Sequence, residues 1–449
     1  METSDIRWWH YFFSGCLFAV SLSVSGQVAT VTEDDYPSPP DLSSLHFYLI
    51  TVDVGEDVWN NFGHTALRLY DENSNTDMIY NWGVFDISGG VLDFSWKFFT
   101  GVMNYRLSHS SPSQEFASYA AQGRTVWQDK INLTNPQKGR LYQRLMWNTE
   151  PSNVEYPYQY FFNNCTTKLR DYLDEALSGK ISLRFTENAE STFRDHVQSH
   201  YQSVGFVALS LDILMNSNID RLISEWEQMF LPLKFREYLL QMDSDVAENG
   251  ERQMLLSDSQ IILDFSPPTI ETNPYQIASL LLFSPVLFLL LMVKRIPQSY
   301  YANYSNFGLR WARITWRLLG LLGVLVMCFS GVYGLLMLGS WFVSDHLDTH
   351  HNLNLLLFWP TDILGVIVGF RWLFMCKPWP MTHNNEPFIN YYLLAHLASI
   401  TVYGALAIFD FSAQSINNVA IYISPGMFLF TLLIWFVGFE SAKNKNSFF

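Results

Sequence analysis

Five apolar stretches, near residues 275–293, 318–343, 355–375, 389–409 and 419–438, set the strongest limit on what this chain can fold into. Each runs about 20 residues or slightly more, enough to cross a bilayer as a helix. The composition agrees: only 15% of residues are charged and 49% are apolar, whereas an average soluble chain is about 25% charged. The loops orient the stretches. Lys294, Arg295, Arg310, Arg313 and Arg317 lie in the first, Lys377 follows Arg371 in the third, and Lys443 and Lys445 lie in the tail. Loops 344–354 and 410–418 contain neither Lys nor Arg. Basic loops face the cytoplasm, so five spans place residues 30–274 outside and the C-terminus inside.

The N-terminal sequence points to the same topology. Residues 1–29 hold an apolar run from Tyr11 to Val24 with small residues after it, and read as a secretory signal peptide. Residues 30–44, with Pro37, Pro39 and Pro40, read as a linker. Residues 45–240 then form an extracytoplasmic domain, 241–274 an acidic tether, and 275–449 an all-α membrane domain of five helices. Strands are expected over Leu45–Val54, 64–70 and Met78–Phe85, and helices over 136–147 and 189–240. Residues 91–107 are rich in aromatics, which suit a core and also an acyl groove. The net charge of −15 argues against nucleic acid as a partner and against docking on anionic lipid by charge. Attachment to the membrane must come from apolar segments.

Of the four cysteines, Cys16, Cys328 and Cys376 lie in apolar runs, and only Cys165 belongs to the presumed soluble domain, so a disulfide framework is not expected. Cys165 follows Asn163 and Asn164 at the start of a helix whose Leu169, Tyr172, Leu173, Ala176 and Leu177 recur at helical spacing, with Gly179 as the stop. Either Asn can cap that helix. A thiol at a helix N-terminus feels the positive end of the dipole, which favours thiolate. About a hundred residues upstream, Gly63 bends the chain into the strand that begins with His64. A Cys on a helix N-terminus facing a His on a strand is the papain-type arrangement, in which His takes the thiol proton and returns it to a leaving group. His46 is a further candidate third group, though a structural His at a strand start is the simpler reading. In the loop Ser344–Leu355, His346, His350, His351, Asp345 and Asp348 match no standard zinc spacing, and a solvated loop is the expectation. No cofactor or metal is called for.

Six motifs occur in order: Phe62-Gly63-His64-Thr65-Ala66-Leu67-Arg68; Tyr80-Asn81-Trp82-Gly83-Val84-Phe85-Asp86; Phe98-Phe99-Thr100-Gly101 with Asn104-Tyr105; Asn164-Cys165-Thr166-Thr167 with Arg170-Asp171; Thr192-Phe193-Arg194; and Met229-Phe230-Leu231-Pro232. As a set they resemble the Lnb N-terminal periplasmic domain family, over roughly Leu45 to Leu240. Trp82 and Lys168 depart from the family pattern, which resembles Tyr and Arg at those places. The His-before-Cys order is similar to the permuted branch of the NlpC-type papain-like superfamily.

The resemblance implies an α+β papain-like domain in the periplasm, ahead of a multi-pass inner-membrane domain. It also implies a lipoprotein N-acyltransferase. Its acyl donor is a phospholipid and its acceptor the N-terminal amine of a diacylglyceryl-cysteine lipoprotein. Cys165 is then the nucleophile and His64 the base. The Cys165 N–H, with the Asn164 or Asn163 amide, stabilises the oxyanion. Arg170 and Asp171 read as orienting residues, and the Asn352-Leu353-Asn354 loop as a headgroup contact. The competing expectations are a thiol hydrolase or peptidase acting on cell-wall peptides or lipids, and a non-enzymatic lipoprotein-binding membrane protein.

Overall fold

Seven antiparallel strands organise the N-terminal part, and the chain supplies them from widely separated segments. The computed structural model describes residues 41–85, 90–201, 204–248, 251–268, 273–292, 306–376 and 388–446. The signal peptide expected over 1–29, most of the linker, and Lys294, Arg295 and Lys377 lie outside these residues. In chain order the strands are β1 (Leu45–Val52), β2 (His64–Asp71), β3 (Thr76–Val84), β4 (Asn104–Ser110), β5 (Val126–Ile131), β6 (Glu155–Pro157), β7 (Asn188–Thr192), β8 (Leu222–Ser224), β9 (Asp243–Glu248), β10 (Glu251–Met254) and β11 (Leu256–Leu263). The large sheet runs β11-β5-β1-β2-β3-β4-β6. The N-terminal helices are α1 (Gly90–Thr100), α2 (Pro112–Ala121), α3 (Asn135–Thr149), α4 (Cys165–Ala176), α5 (Lys180–Arg184), α6 (Phe193–His200), α7 (Gly205–Leu214), α8 (Glu225–Gln228) and α9 (Pro232–Leu239).

Strand alternation sends side chains to opposite faces of the sheet. On one face Leu67, Leu69 and Trp82 pack against Leu141 of α3, Leu169 and Leu173 of α4, and Phe235 of α9. On the other, Ala66, Ile79 and Val126 meet Phe116 and Tyr119 of α2. The expected strands and the helix near 136–147 are present within a few residues of their predicted bounds. Two expectations are corrected. Residues 189–240 are not uniformly helical, because β7 and β8 pair within them. The segment expected as an acidic tether holds β9, β10 and β11, and β11 joins the edge of the sheet beside β5. Asp243, Asp245, Asp258 and Asp264 are exposed, while Leu255 and Leu256 are buried. An edge strand with a charged outer side resembles a tether in composition.

The C-terminal part is helical: α10 (Pro274–Met292), α11 (Asn306–Val343), α12 (Gly365–Phe370), α13 (Phe388–Ile408), α14 (Asn417–Tyr422) and α15 (Ser424–Asn446). Five spans were expected. Among the described residues three helices are long and apolar enough to cross a membrane: α10, α11 through Arg313–Val343, and α13. The third stretch is broken, with turns over Leu347–Leu356 and Pro360–Met375 bent by 67°, and counts as a fourth span only if taken as one. The apolar part of α15, Ser424–Val437, is shorter than a span. Glycines on α11 let the broken segment lie directly on that helix: a Cβ on Gly331 would sit 2.4 Å from Ile363 N, and one on Gly334 2.6 Å from Pro360 N. Close backbone approach through small residues is how helices pack where lipid gives no hydrophobic drive.

A buried polar hub joins the two parts. Arg194 on α6 is 2% exposed. It pairs with Asp212 Oδ1 at 2.6 Å and Asp220 Oδ1 at 2.5 Å, and donates to the carbonyls of Met215 and Asn216. Tyr275 Oη on α10 donates to Asp212 Oδ2 at 2.8 Å, and Ser415 N donates to Asp220 Oδ2 at 3.0 Å. Around the hub, Asn352 and Asn354 both donate to Ile213 O at 2.8 Å. Those asparagines, expected at lipid headgroups, are buried instead, because the carbonyl at the end of α7 needs donors. Replacing Arg194 by Leu leaves Asp212 buried without its cation. A loss of about 3–5 kcal/mol is expected, seen as a sharply lower unfolding temperature of the purified chain in detergent.

Candidate active site

The N-terminus of α4 meets the start of β2 at one end of the sheet. Asn164 caps α4, its Oδ1 accepting from Thr166 N and Thr167 N at 2.9 Å each. Its Nδ2 donates to Tyr160 O at 2.9 Å and Phe230 O at 3.0 Å. Both amide hydrogens are thereby committed to carbonyls, so Asn164 is corrected from an oxyanion donor to the residue that fixes where α4 begins. Asn163 gives one of its two amide hydrogens to Pro157 O at 2.5 Å. Cys165 takes the first helical position, where a backbone N–H has no intrahelical acceptor. That N–H remains the oxyanion donor the local geometry offers.

Cys165 and His64 lie side by side next to Gly83, close enough to perturb each other's ionisation. His64 Nε2 donates to Asn81 Oδ1 at 2.5 Å, which leaves Nδ1 as the nitrogen facing the thiol. The orientation of Asn81 is set from behind: its Nδ2 donates to Glu115 Oε2 and to Tyr119 Oη, each at 3.3 Å. A carboxylate only accepts when ionised, so the Asn81 oxygen must point to the imidazole. Gly83, two residues along β3, has φ of +125°. A Cβ there would lie 3.4 Å from His64 Cε1 and 3.9 Å from Cys165 Cβ. The bare glycine therefore keeps the space beside base and thiol open.

Burial alone would push the Cys165 thiol up. The facing His64 outweighs it, with hydrogen bonds from Thr65 N–H and the Thr166 hydroxyl, and brings the thiol down to about 7. Thr166 is held in turn by Thr65 Oγ1 at 3.0 Å. For His64, burial opposes protonation and the Cys165 thiolate more than offsets it, so the imidazole is raised. The pair can exist as thiolate and imidazolium near neutral pH, the state in which a cysteine attacks a carbonyl. Tyr105 and Tyr158, stacked with ring centroids 4.0 Å apart, line the neighbourhood of the thiol, and burial raises both hydroxyls.

The remaining candidates lie elsewhere. His46 pairs with Glu72 at 2.9 Å. It faces Tyr70 in the register that puts Val52 opposite His64, so it stands six residues along β1 from the site, about 20 Å at strand rise. Arg170 donates to Asp171 Oδ1 and Trp226 O, both at 2.9 Å, and stacks on the Trp226 ring; it braces α4 against α8. His346 Nε2 donates to Phe98 O at 2.9 Å and His350 Nε2 to Ser344 O at 3.0 Å, so this loop docks onto α1 rather than standing free in solvent. Asn81, Glu115 and Gly83 were missed as site residues. Asn81 and Gly83 fall inside the second motif, but only strand pairing shows that they flank His64.

Residues 34–199 match the family model of the Lnb N-terminal periplasmic domain. This part of the chain is similar to the Lnb N-terminal domain. No curated protein and no solved structure matches the chain. The matched Lnb segment holds His64, Asn81 and Cys165 and ends within α6. Such a domain is periplasmic by the family's description, and the apolar helices that follow fit a membrane protein.

Two outcomes are expected. Alkylation of Cys165 by iodoacetamide, followed by mass spectrometry of its peptide, should fall as pH drops through about 7. In His64→Ala the midpoint should move upward, because burial remains and its counterweight is gone. Asn164→Ala should cost about 2–4 kcal/mol, from a lost cap and two buried carbonyls without donors, measured as thermal unfolding of the purified protein.

Proposed function

We propose that this protein is a thiol-dependent lipoprotein N-acyltransferase of the bacterial inner membrane, with a papain-like catalytic domain in permuted order. The observation that carries the reading is the His64 imidazole held between Asn81 and Cys165 in an Lnb-like domain joined to membrane-crossing helices. His before Cys in the chain, with an Asn orienting the imidazole from its far nitrogen, is the papain-type triad logic.

The Cys165 thiolate attacks an ester carbonyl of a phospholipid. The carbonyl carbon becomes tetrahedral, and its oxyanion is met by the Cys165 N–H. Collapse breaks the ester C–O bond, the His64 imidazolium gives its proton to the departing oxygen, and a lysophospholipid leaves. The acyl chain now forms a thioester with Cys165. The N-terminal amine of a diacylglyceryl-cysteine lipoprotein attacks it, His64 takes the amine proton, and the amide forms as the thiolate is restored. Transfer rather than hydrolysis requires that water be kept away and the amine be held close. Anchorage of both lipid substrates in the bilayer raises their local concentration at a site joined to it.

Purified protein given phospholipid and a diacylated lipopeptide should yield N-acylated lipopeptide and lysophospholipid in equal amounts. Cys165→Ala and His64→Ala should each lower both products by about three orders of magnitude or more while the protein still folds. Release of free fatty acid alone, at a rate indifferent to lipopeptide, would instead identify a thiol lipase.

A further inference from the structure

Helix α1 is amphipathic by sequence, with an apolar arc wider than half its circumference and Asp93, Lys97 and Thr100 on the remaining side. Val91, Leu92, Phe94, Trp96, Phe98 and Phe99 occupy an eleven-residue helix, and its Asp93 and Lys97 neutralise each other at 2.7 Å. An apolar face this wide is normally covered by protein or lipid. Among the described residues part of this face is uncovered: Trp96 is 58% exposed, Phe98 39%, and Val102 just beyond the helix 62%.

The level of α1 relative to the bilayer is set by the end of a span. The membrane helix α11 ends at Val343. The next residues bind the C-terminal end of α1: Ser344 Oγ donates to Phe99 O at 2.7 Å, Asp345 N to Thr100 O at 2.9 Å, and His346 Nε2 to Phe98 O at 2.9 Å. Trp341 and Phe342 in the last turn of α11 are themselves exposed, as side chains facing lipid are. The N-terminal part also reaches deeper at a second place. Leu209 and Ile213 of α7 share a core with α10 and α11, and Ser210 hydrogen-bonds Tyr333, ten residues or about 15 Å before the end of α11.

We infer that α1 is seated in the lipid leaflet facing the Lnb-like domain, with bilayer lipid covering Trp96, Phe98 and Val102. Aromatic side chains are favoured at this depth, and an apolar contact is what the acidic net charge of the chain leaves available. The same contact bears on the candidate active site. Tyr160, whose carbonyl accepts from the Asn164 cap, forms a cluster of tilted rings with Phe98 and His346. The nucleophile's loop thus rests on the lipid-seated helix, and a lipid approaches Cys165 sideways from the leaflet. That last consequence rests on the function proposed above; the seating of α1 does not.

The test is photocrosslinking of full-length protein in phospholipid nanodiscs, with benzoylphenylalanine placed at Trp96, at Val102, or at the exposed Trp147 of α3 as control. Positions 96 and 102 should give several-fold more phospholipid adduct than 147 by mass spectrometry, in variants that unfold at the wild-type temperature. If the position-96 variant does not fold, position 102 carries the comparison. Equal lipid adducts at all positions, or adducts only to protein, including a second copy of the chain, would overturn the inference. A Cys165→Ala background should give the same adducts, so failure of the proposed chemistry and failure of the seating are read separately.

Discussion

A guanidinium held almost entirely away from water constrains how the two parts of this protein fit. Arg194 needs every partner it has, since an uncompensated buried charge costs several kcal/mol. Its partners come from α7 and the segment after α7, and two of them, Asp212 and Asp220, bind Tyr275 and Ser415 in the helical part. Satisfying one cation therefore fixes where the membrane-crossing helices stand against the sheet. The Asn352 and Asn354 amides complete the junction from the opposite side, at Ile213 O.

With that junction fixed, the loop after α11 bears on α1, and α1 on Tyr160, ahead of the nucleophile's helix. The Asn164 cap ties the same loop to Phe230. Cys165 is thus held by a rigid helix end rather than by a free loop, the kind of support a reactive group requires. The electrostatics are a contest between burial, which opposes both charges, and their mutual attraction, which wins. Neither group would be ionised to the same extent alone.

Much of the site was legible in the chain. Gly63 before His64 marked a bend into a strand, and Asn-Asn before Cys165 marked a cap with a thiol at the first helical position. Local rules govern both, because caps and turns depend on neighbours within four residues. Asn164 shows the limit: its type predicted a cap and also permitted an oxyanion role, and only the distant Phe230 carbonyl decided between them. The acidic segment 241–274 failed differently, since an exposed edge strand and a tether have similar composition and differ only in having β5 alongside.

The sequence by itself determined the apolar segments, the early strands, the helix after Cys165 and the Cys–His pairing as a hypothesis, because period, capping and hydropathy are written in adjacent residues. The tertiary structure alone decided that Asn81 orients His64, that Gly83 leaves the thiol accessible, that the third apolar stretch is broken against α11, and that α1 lies beside the end of a membrane helix. Each of these depends on contacts between residues far apart in the chain. Such contacts are set by packing and by the need to satisfy buried polar groups, which no local pattern encodes.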